Sequence, residues 1–134
     1  KLQYLDILDP KDIETAFRAA GKGRADGVLV LGGTVPLSQR TQVVELAVKS
    51  RLPTIYYRSD FVEDGGLVSY AVNLNDLARR AATYVDKILK GRTPAELPVE
   101  QPMKFEFIIN LQAAKKIGLT VPPNVLVRAD KVIR

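Results

Sequence analysis

The chain has no cysteine, no histidine and no tryptophan, and only one methionine among its 134 residues. Each absence removes a chemistry. Without cysteine there is no disulfide scaffold, no thiolate nucleophile and no cysteine-ligated zinc. Without histidine there is no Ser-His-Asp triad and no imidazole-bound metal. Long hydrophobic runs are missing too: the longest, Gly27 to Val35, counts glycines and Thr34 and falls far short of the roughly 20 apolar residues of a membrane-spanning helix. Charge is not strongly of one sign, with 20 Lys+Arg against 15 Asp+Glu for a net +5. The basic residues are scattered among acids, and the densest stretch, Lys87 to Arg92, stands where a helix ends and cations suit its dipole. No basic run is interleaved with stacking aromatics, so this is a solvated basic surface and not a nucleic-acid binder. With 46% hydrophobic and 26% charged residues, what remains is a folded chain of single-domain length with a real core.

The pattern of apolar residues predicts an α/β chain. Leu2 to Leu8 reads as a strand cut off by Asp9-Pro10. Asp9 is placed to cap a helix, Pro10 to open it, and Ile13, Ala16, Phe17 and Ala20 form its apolar face up to Gly21. Gly27-Val-Leu-Val-Leu31 has the continuous apolar character of a strand buried on both faces. Leu37 to Ser50 reads as the next helix and Pro53 to Tyr57 as another short strand. That alternation implies a parallel sheet. Phe61 to Gly66 reads as a turn and Leu67 to Val72 as a strand. Asn73 then caps the clearest helix, with Leu74, Leu77, Ala78, Ala81, Tyr84, Val85, Ile88 and Leu89 in helical rhythm before Gly91. Three prolines between Thr93 and Pro102 make an extended connector. Met103 to Leu111 alternates as a half-buried strand, Asn110 caps a short helix ending at Gly118, and Val125 to Arg134 reads as a terminal helix.

In an open parallel sheet, ligands gather beyond the carboxyl ends of the strands. Three such ends are visible: Gly32 to Pro36, Tyr57 to Asp60 and Ser69 to Asn73. They offer hydroxyls, amides, two tyrosines and Arg58, which is equipment for recognition and not for bond chemistry. No catalytic residue, metal ligand set or cofactor motif stands out. Gly32-Gly33 lacks the spacing of a phosphate loop and reads first as a tight turn. Arg58 is suited either to grip a carboxylate or to pair with Asp60 or Glu63. Tyr57 and Tyr70 suit a ligand or a core equally well. Asp60, Glu63 and Asp64 form an acidic group without a calcium-loop pattern, so turn solvation is the simpler reading.

Phe61-Val-Glu-Asp-Gly-Gly-Leu-Val-Ser-Tyr70, the helix Asp76 to Gly91, the segment Pro94 to Pro102, Lys104-Phe-Glu106 and Ile109-Asn-Leu111 follow one another in a specific order. Together with Ala113 to Pro123 and Val127 to Ile133, that series resembles the substrate-binding proteins of ABC transporters, typified by the tryptophan/tyrosine-type members. The resemblance covers nearly the whole chain. It implies a type I periplasmic-binding fold, in which two lobes, each a parallel-sheet three-layer α/β sandwich, close on a solute between them. It implies residues 1–72 as most of the second lobe and residues 73–134 as elements returning to the first lobe and hinge, in a protein about twice this length. It also implies a non-enzymatic, periplasmic or otherwise extracytoplasmic solute receptor, its signal peptide outside this chain, that delivers an amino acid or related carboxylate to a membrane permease.

Carried over by position, the ligand contacts fall on Thr34, Tyr57, Arg58, Ser69, Tyr70 and Asn73. Where the family often has aromatic residues after the second buried strand, this chain has Thr34-Val35-Pro36, a departure that argues against an aromatic ligand. The Leu74 to Leu89 helix, parted from its lobe, is expected to leave apolar surface that favours a homodimer. The competing readings are a ligand sensor on the same fold, or a flavodoxin-like or receiver-like regulatory domain. A receiver needs clustered acids at a strand end, where this chain has Arg58, and Leu8-Asp-Pro10 is no flavin phosphate loop.

Overall fold

Asp9 and Pro10 open helix α1 (Pro10–Lys22) as their chemistry dictates. The Asp9 carboxylate accepts the Lys11 N–H at 2.9 Å, and Asp12 returns the favour to the N–H groups of Leu8 and Asp9. Gly23, two residues beyond the expected stop, caps the other end. The computed structural model describes residues 1–134. Its remaining elements are β1 (Val28–Val30), α2 (Thr34–Ser38), α3 (Arg40–Lys49), β2 (Thr54–Tyr56), α4 (Asp60–Glu63), β3 (Val68–Val72), α5 (Leu74–Leu89), a 3-10 turn at Pro94–Glu96, β4 (Phe105–Asn110), α6 (Leu111–Ile117), α7 (Pro123–Leu126) and β5 (Lys131–Ile133).

The five strands form one sheet in the order β1-β2-β3-β4-β5. Neighbours are parallel except β3 and β4, which run antiparallel from Val72 opposite Phe105 to Val68 opposite Ile109. Cross-strand partners share a face, so Val30, Tyr56, Ser69 and Ile108 project to one side. On that side α1 and α3 supply Ile13, Phe17, Ala20, Val43, Val44 and Ala47 to a core centred on Tyr56, Phe61 and Val62. The Tyr56 and Phe61 rings stack at 4.9 Å between centroids. A smaller cluster joins Leu67 to Ala113 and Ala114 of α6.

Several expectations change. Leu2 to Leu8 pairs with no strand and is largely exposed; only Ile7 packs against the core. The Gly27–Leu31 run is covered on one face only: Val30 is buried, while Leu29 is 62% exposed on the other side of the sheet. The single helix expected over Leu37–Ser50 begins earlier and is broken at Gln39, whose φ of −110° and ψ of 28° leave the helical region and separate α2 from α3. The Phe61–Gly66 turn contains the one-turn helix α4, and Gly65 turns out of it with a φ of +107°. No terminal helix forms over Val125–Arg134. The Asp130 side chain accepts the Phe107 N–H and its own N–H binds the Phe107 carbonyl, which docks Lys131–Ile133 onto the free edge of β4 as β5. An available edge outweighs helical rhythm there.

Helix α5 stands apart. Asn73 caps it by accepting the Asp76 N–H at 2.7 Å, yet none of its residues is buried. Asn73 and Asp76 have the spacing of a capping box, but Asp76 pairs with Arg80 at 3.1 Å instead. The proline segment straps the helix, with Arg80 reaching Glu100 at 2.9 Å and the Tyr84 hydroxyl donating to the Pro98 carbonyl. Both carboxylates raise the Arg80 guanidinium pKa above its ordinary value.

Candidate functional site

The carboxyl ends of β1 and β2 lie side by side, and Tyr57 joins them. Its hydroxyl donates across a long 3.5 Å to the Gly33 carbonyl, and its ring lies 3.6 Å from the point where a side chain on Gly32 would begin. Gly33 precedes Thr34, the first residue of α2. Thr34 and Tyr57 are therefore brought together by the Gly32-Gly33 turn, with the other side of the Tyr57 ring tilted against Phe61 at 5.5 Å.

Arg58 follows directly. Its Nη2 donates to Asp60 Oδ2 at 2.6 Å, and the two side chains are 30% and 28% exposed. Its Nε is buried without a hydrogen-bond partner. Each remaining acid of the turn has its own cation: Asp64 holds Arg40, and Glu63 faces Lys131 at 3.9 Å. The hydrogen bond that Arg40 donates to the Asp64 carboxylate, with the charge of Asp64 itself, raises the Arg40 pKa, helped by the nearby charges of Asp60 and Glu63. The acidic group is thus spent on ion pairs, not gathered around a vacant centre.

The β3 residues are distributed differently. Ser69 is fully buried beside Tyr56, and its hydroxyl has no protein partner. Tyr70, next along the strand, projects from the opposite face, is 58% exposed, stacks on Phe105 at 5.5 Å and meets the edge of Phe107 at 6.4 Å. Asn73 is engaged at both ends, since its amide also donates to Glu106 at 2.6 Å. So Thr34, Tyr57 and Arg58 lie at adjoining strand ends, Ser69 belongs to the core, Tyr70 to an aromatic face, and Asn73 to the cap of α5. Phe105 and Glu106 were marked in the sequence only as part of the Lys104-Phe-Glu106 segment of the family resemblance, not as site residues. The alternation of Met103 to Leu111 marked a strand without fixing its partner, which the structure shows to be β3, antiparallel.

A family model for ABC transporter substrate binding proteins matches residues 1–133. The chain belongs to that family. Solved structures agree with the assignment. This ABC substrate-binding chain is 26% identical to a conserved domain protein from Vibrio cholerae O1 biovar El Tor, with a TM-score of 0.83 over 94% of this chain and 42% of that one. It is also 26% identical, at a TM-score of 0.83, to an ABC domain from Streptococcus pneumoniae solved in complex with L-Trp, covering 98% of this chain and 45% of that one. A ligand-free, open substrate binding protein with adhesive properties from Clostridium difficile shares the fold at 22% identity and a TM-score of 0.68, over 96% of this chain and 42% of the other. The chain therefore spans less than half the length of the structures it matches. No helix in it is long and apolar enough to cross a membrane.

Proposed function

We propose that the chain is part of the solute receptor of an ABC importer, which captures an amino acid or related carboxylate between two lobes and hands it to a membrane permease on the extracytoplasmic, periplasmic side. The observation that carries this reading is the group at the ends of β1 and β2, where Tyr57, the Gly33 carbonyl, Thr34 and the half-buried Arg58 offer stacking, hydrogen bonding and one cation. Membership of the substrate-binding family and the L-Trp held by the Streptococcus pneumoniae relative support the ligand class. The mechanism is closure: binding energy shifts an open–closed equilibrium, and no bond is made or broken.

Residues 1–72 are proposed as most of one lobe, and residues 73–134 as elements that return to the other lobe and the hinge. The reversal of direction between β3 and β4 and the exposure of α5 support that division. Thr34, Tyr57, Arg58 and Tyr70 are proposed as ligand contacts, with Ser69 and Asn73 shaping the strand end from behind. A thermal-shift and calorimetry screen of the full-length protein against the amino acids and small carboxylates tests the proposal. The expected result is stabilisation by at least one of them, with affinity lowered about tenfold or more by Arg58→Ala and Tyr57→Ala. Stabilisation by none, together with turnover of any substrate, overturns it.

A further inference from the structure

Only two residues other than glycine adopt the left-handed backbone region, and both are arginines: Arg24 at a φ of 54° and Arg51 at 52°. They occupy equivalent places. Arg24 follows α1 and Arg51 follows α3, two helices on the same face of the sheet. Each helix is closed in the same way, the Ala25 N–H donating to the Ala20 carbonyl and the Leu52 N–H to the Ala47 carbonyl. The chain then enters β1 and β2, whose amino ends are joined by the Val28 N–H on the Pro53 carbonyl at 2.8 Å. Lys22 and Lys49 end the two helices, so four cations stand on adjoining turns, against the single acid Asp26. This pole of the sheet is opposite the one that carries Tyr57 and Arg58. All four basic residues are exposed, and none takes part in an ion pair. We propose that this basic pole docks on an anionic bilayer surface, its cations facing lipid phosphates. The choice of a bilayer rests on the membrane permease proposed above.

Helix dipoles account for Lys22 and Lys49, which lie in the last turns of α1 and α3. They do not account for arginine beyond the helix, in a conformation where a Cβ is a steric cost and glycine is the easy residue. At Gly65, Gly91 and Gly118 the chain does use glycine for a positive φ. What arginine adds at the pole is the guanidinium, and no acid of the chain takes it. Arg18, Arg40, Arg58 and Arg80, in contrast, each hold a carboxylate. The complementary charge therefore lies outside the chain. Four long exposed side chains spread over two turns do not converge on a cradle for one shaped anion, as bidentate recognition requires. They suit a diffuse sheet of negative charge, which attracts each basic residue near it and acts within a Debye length. Because the pole is at the far ends of the strands, docking there leaves the group around Tyr57 and Arg58 open.

Cosedimentation of the full-length protein with vesicles tests the proposal, with no solute or permease present. Vesicles of equal parts phosphatidylglycerol and phosphatidylcholine are compared with phosphatidylcholine alone. The wild-type protein is expected to bind the anionic vesicles about tenfold or more tighter at low salt, and to lose that preference near roughly 0.5 M salt. Arg24→Gly with Arg51→Gly keeps the backbone conformation, so this double variant should melt no lower than wild type yet bind the anionic vesicles about tenfold or more weakly. Arg92→Gln with Arg128→Gln removes the same charge elsewhere and should stay within about twofold of wild type. Equal binding of the wild type to both kinds of vesicle, or equal loss in the two double variants, overturns the inference, and the first comparison needs no variant. Binding of poly-L-glutamate through Arg24 and Arg51 without binding of anionic vesicles also overturns it, and gives the pole to an acidic protein segment instead. None of these readouts involves the solute. Failure here leaves the receptor reading standing, and failure of the solute screen leaves the vesicle result standing.

Discussion

Tyr56 puts an ionisable ring in the middle of an apolar core, stacked on Phe61 and 1% exposed. Burial penalises the phenolate and raises its pKa well above the ordinary value of about 10. Below that value the ring is protonated in both the folded and unfolded chain, and the stability it contributes is fully present. As pH rises further the unfolded chain loses the proton first, so stability falls through the alkaline range. Urea unfolding between pH 8 and 11 is expected to show this decline in the wild-type protein and a shallower one in Tyr56→Phe, the difference isolating this residue. Gly66 belongs to the same detail, because a side chain there would meet the Tyr56 ring at 2.6 Å and the Phe61 carbonyl at 2.7 Å. The glycine lets the chain turn tightly over the stacked pair.

Asn110 shows how one side chain joins elements. Its oxygen caps α6 through the Ala113 N–H at 3.1 Å, and its amide tethers the Val62 carbonyl of α4 at 3.3 Å. Asn110→Ala is expected to cost about 1–3 kcal/mol in denaturant unfolding, because the cap and the tether are both lost. Caps of this kind made the helices legible: Asp9-Pro10, Asn73 and Asn110 each start a helix where the sequence places it. Strands were less legible, because a strand is defined by its neighbour. Leu2–Leu8 has the apolar pattern and no ladder, whereas Lys131–Ile133 has a weaker pattern and finds the edge of β4. At the site, the strand-end position and polar character of Thr34, Tyr57 and Arg58 were readable. That Arg58 would take Asp60 as its partner was one of two open alternatives, and the side toward which Ser69 and Tyr70 point depends on the register with β2 and β4.

At the scale of the molecule, the sheet and the excursion that leaves it are held together by a narrow neck. The chain departs at Val72 and returns at Phe105, which are paired with each other, and the Asn73 N–H closes the gap on the Lys104 carbonyl at 2.9 Å. Asn73 adds a second tie through Glu106. Between these points α5 and its strap make their own contacts, Arg80 to Glu100 and Tyr84 to Pro98. Length and register are thereby decoupled. Three residues inserted between Pro102 and Met103 should change unfolding stability by less than about 1 kcal/mol, because lengthening a loop already closed costs little. One residue inserted inside Val68–Val72 should unfold the chain, because it would turn Ser69 outward and Tyr70 into the core. The neck acts as a stitch in cloth: what hangs beyond it can grow, shrink or swing, and the weave behind it keeps its count.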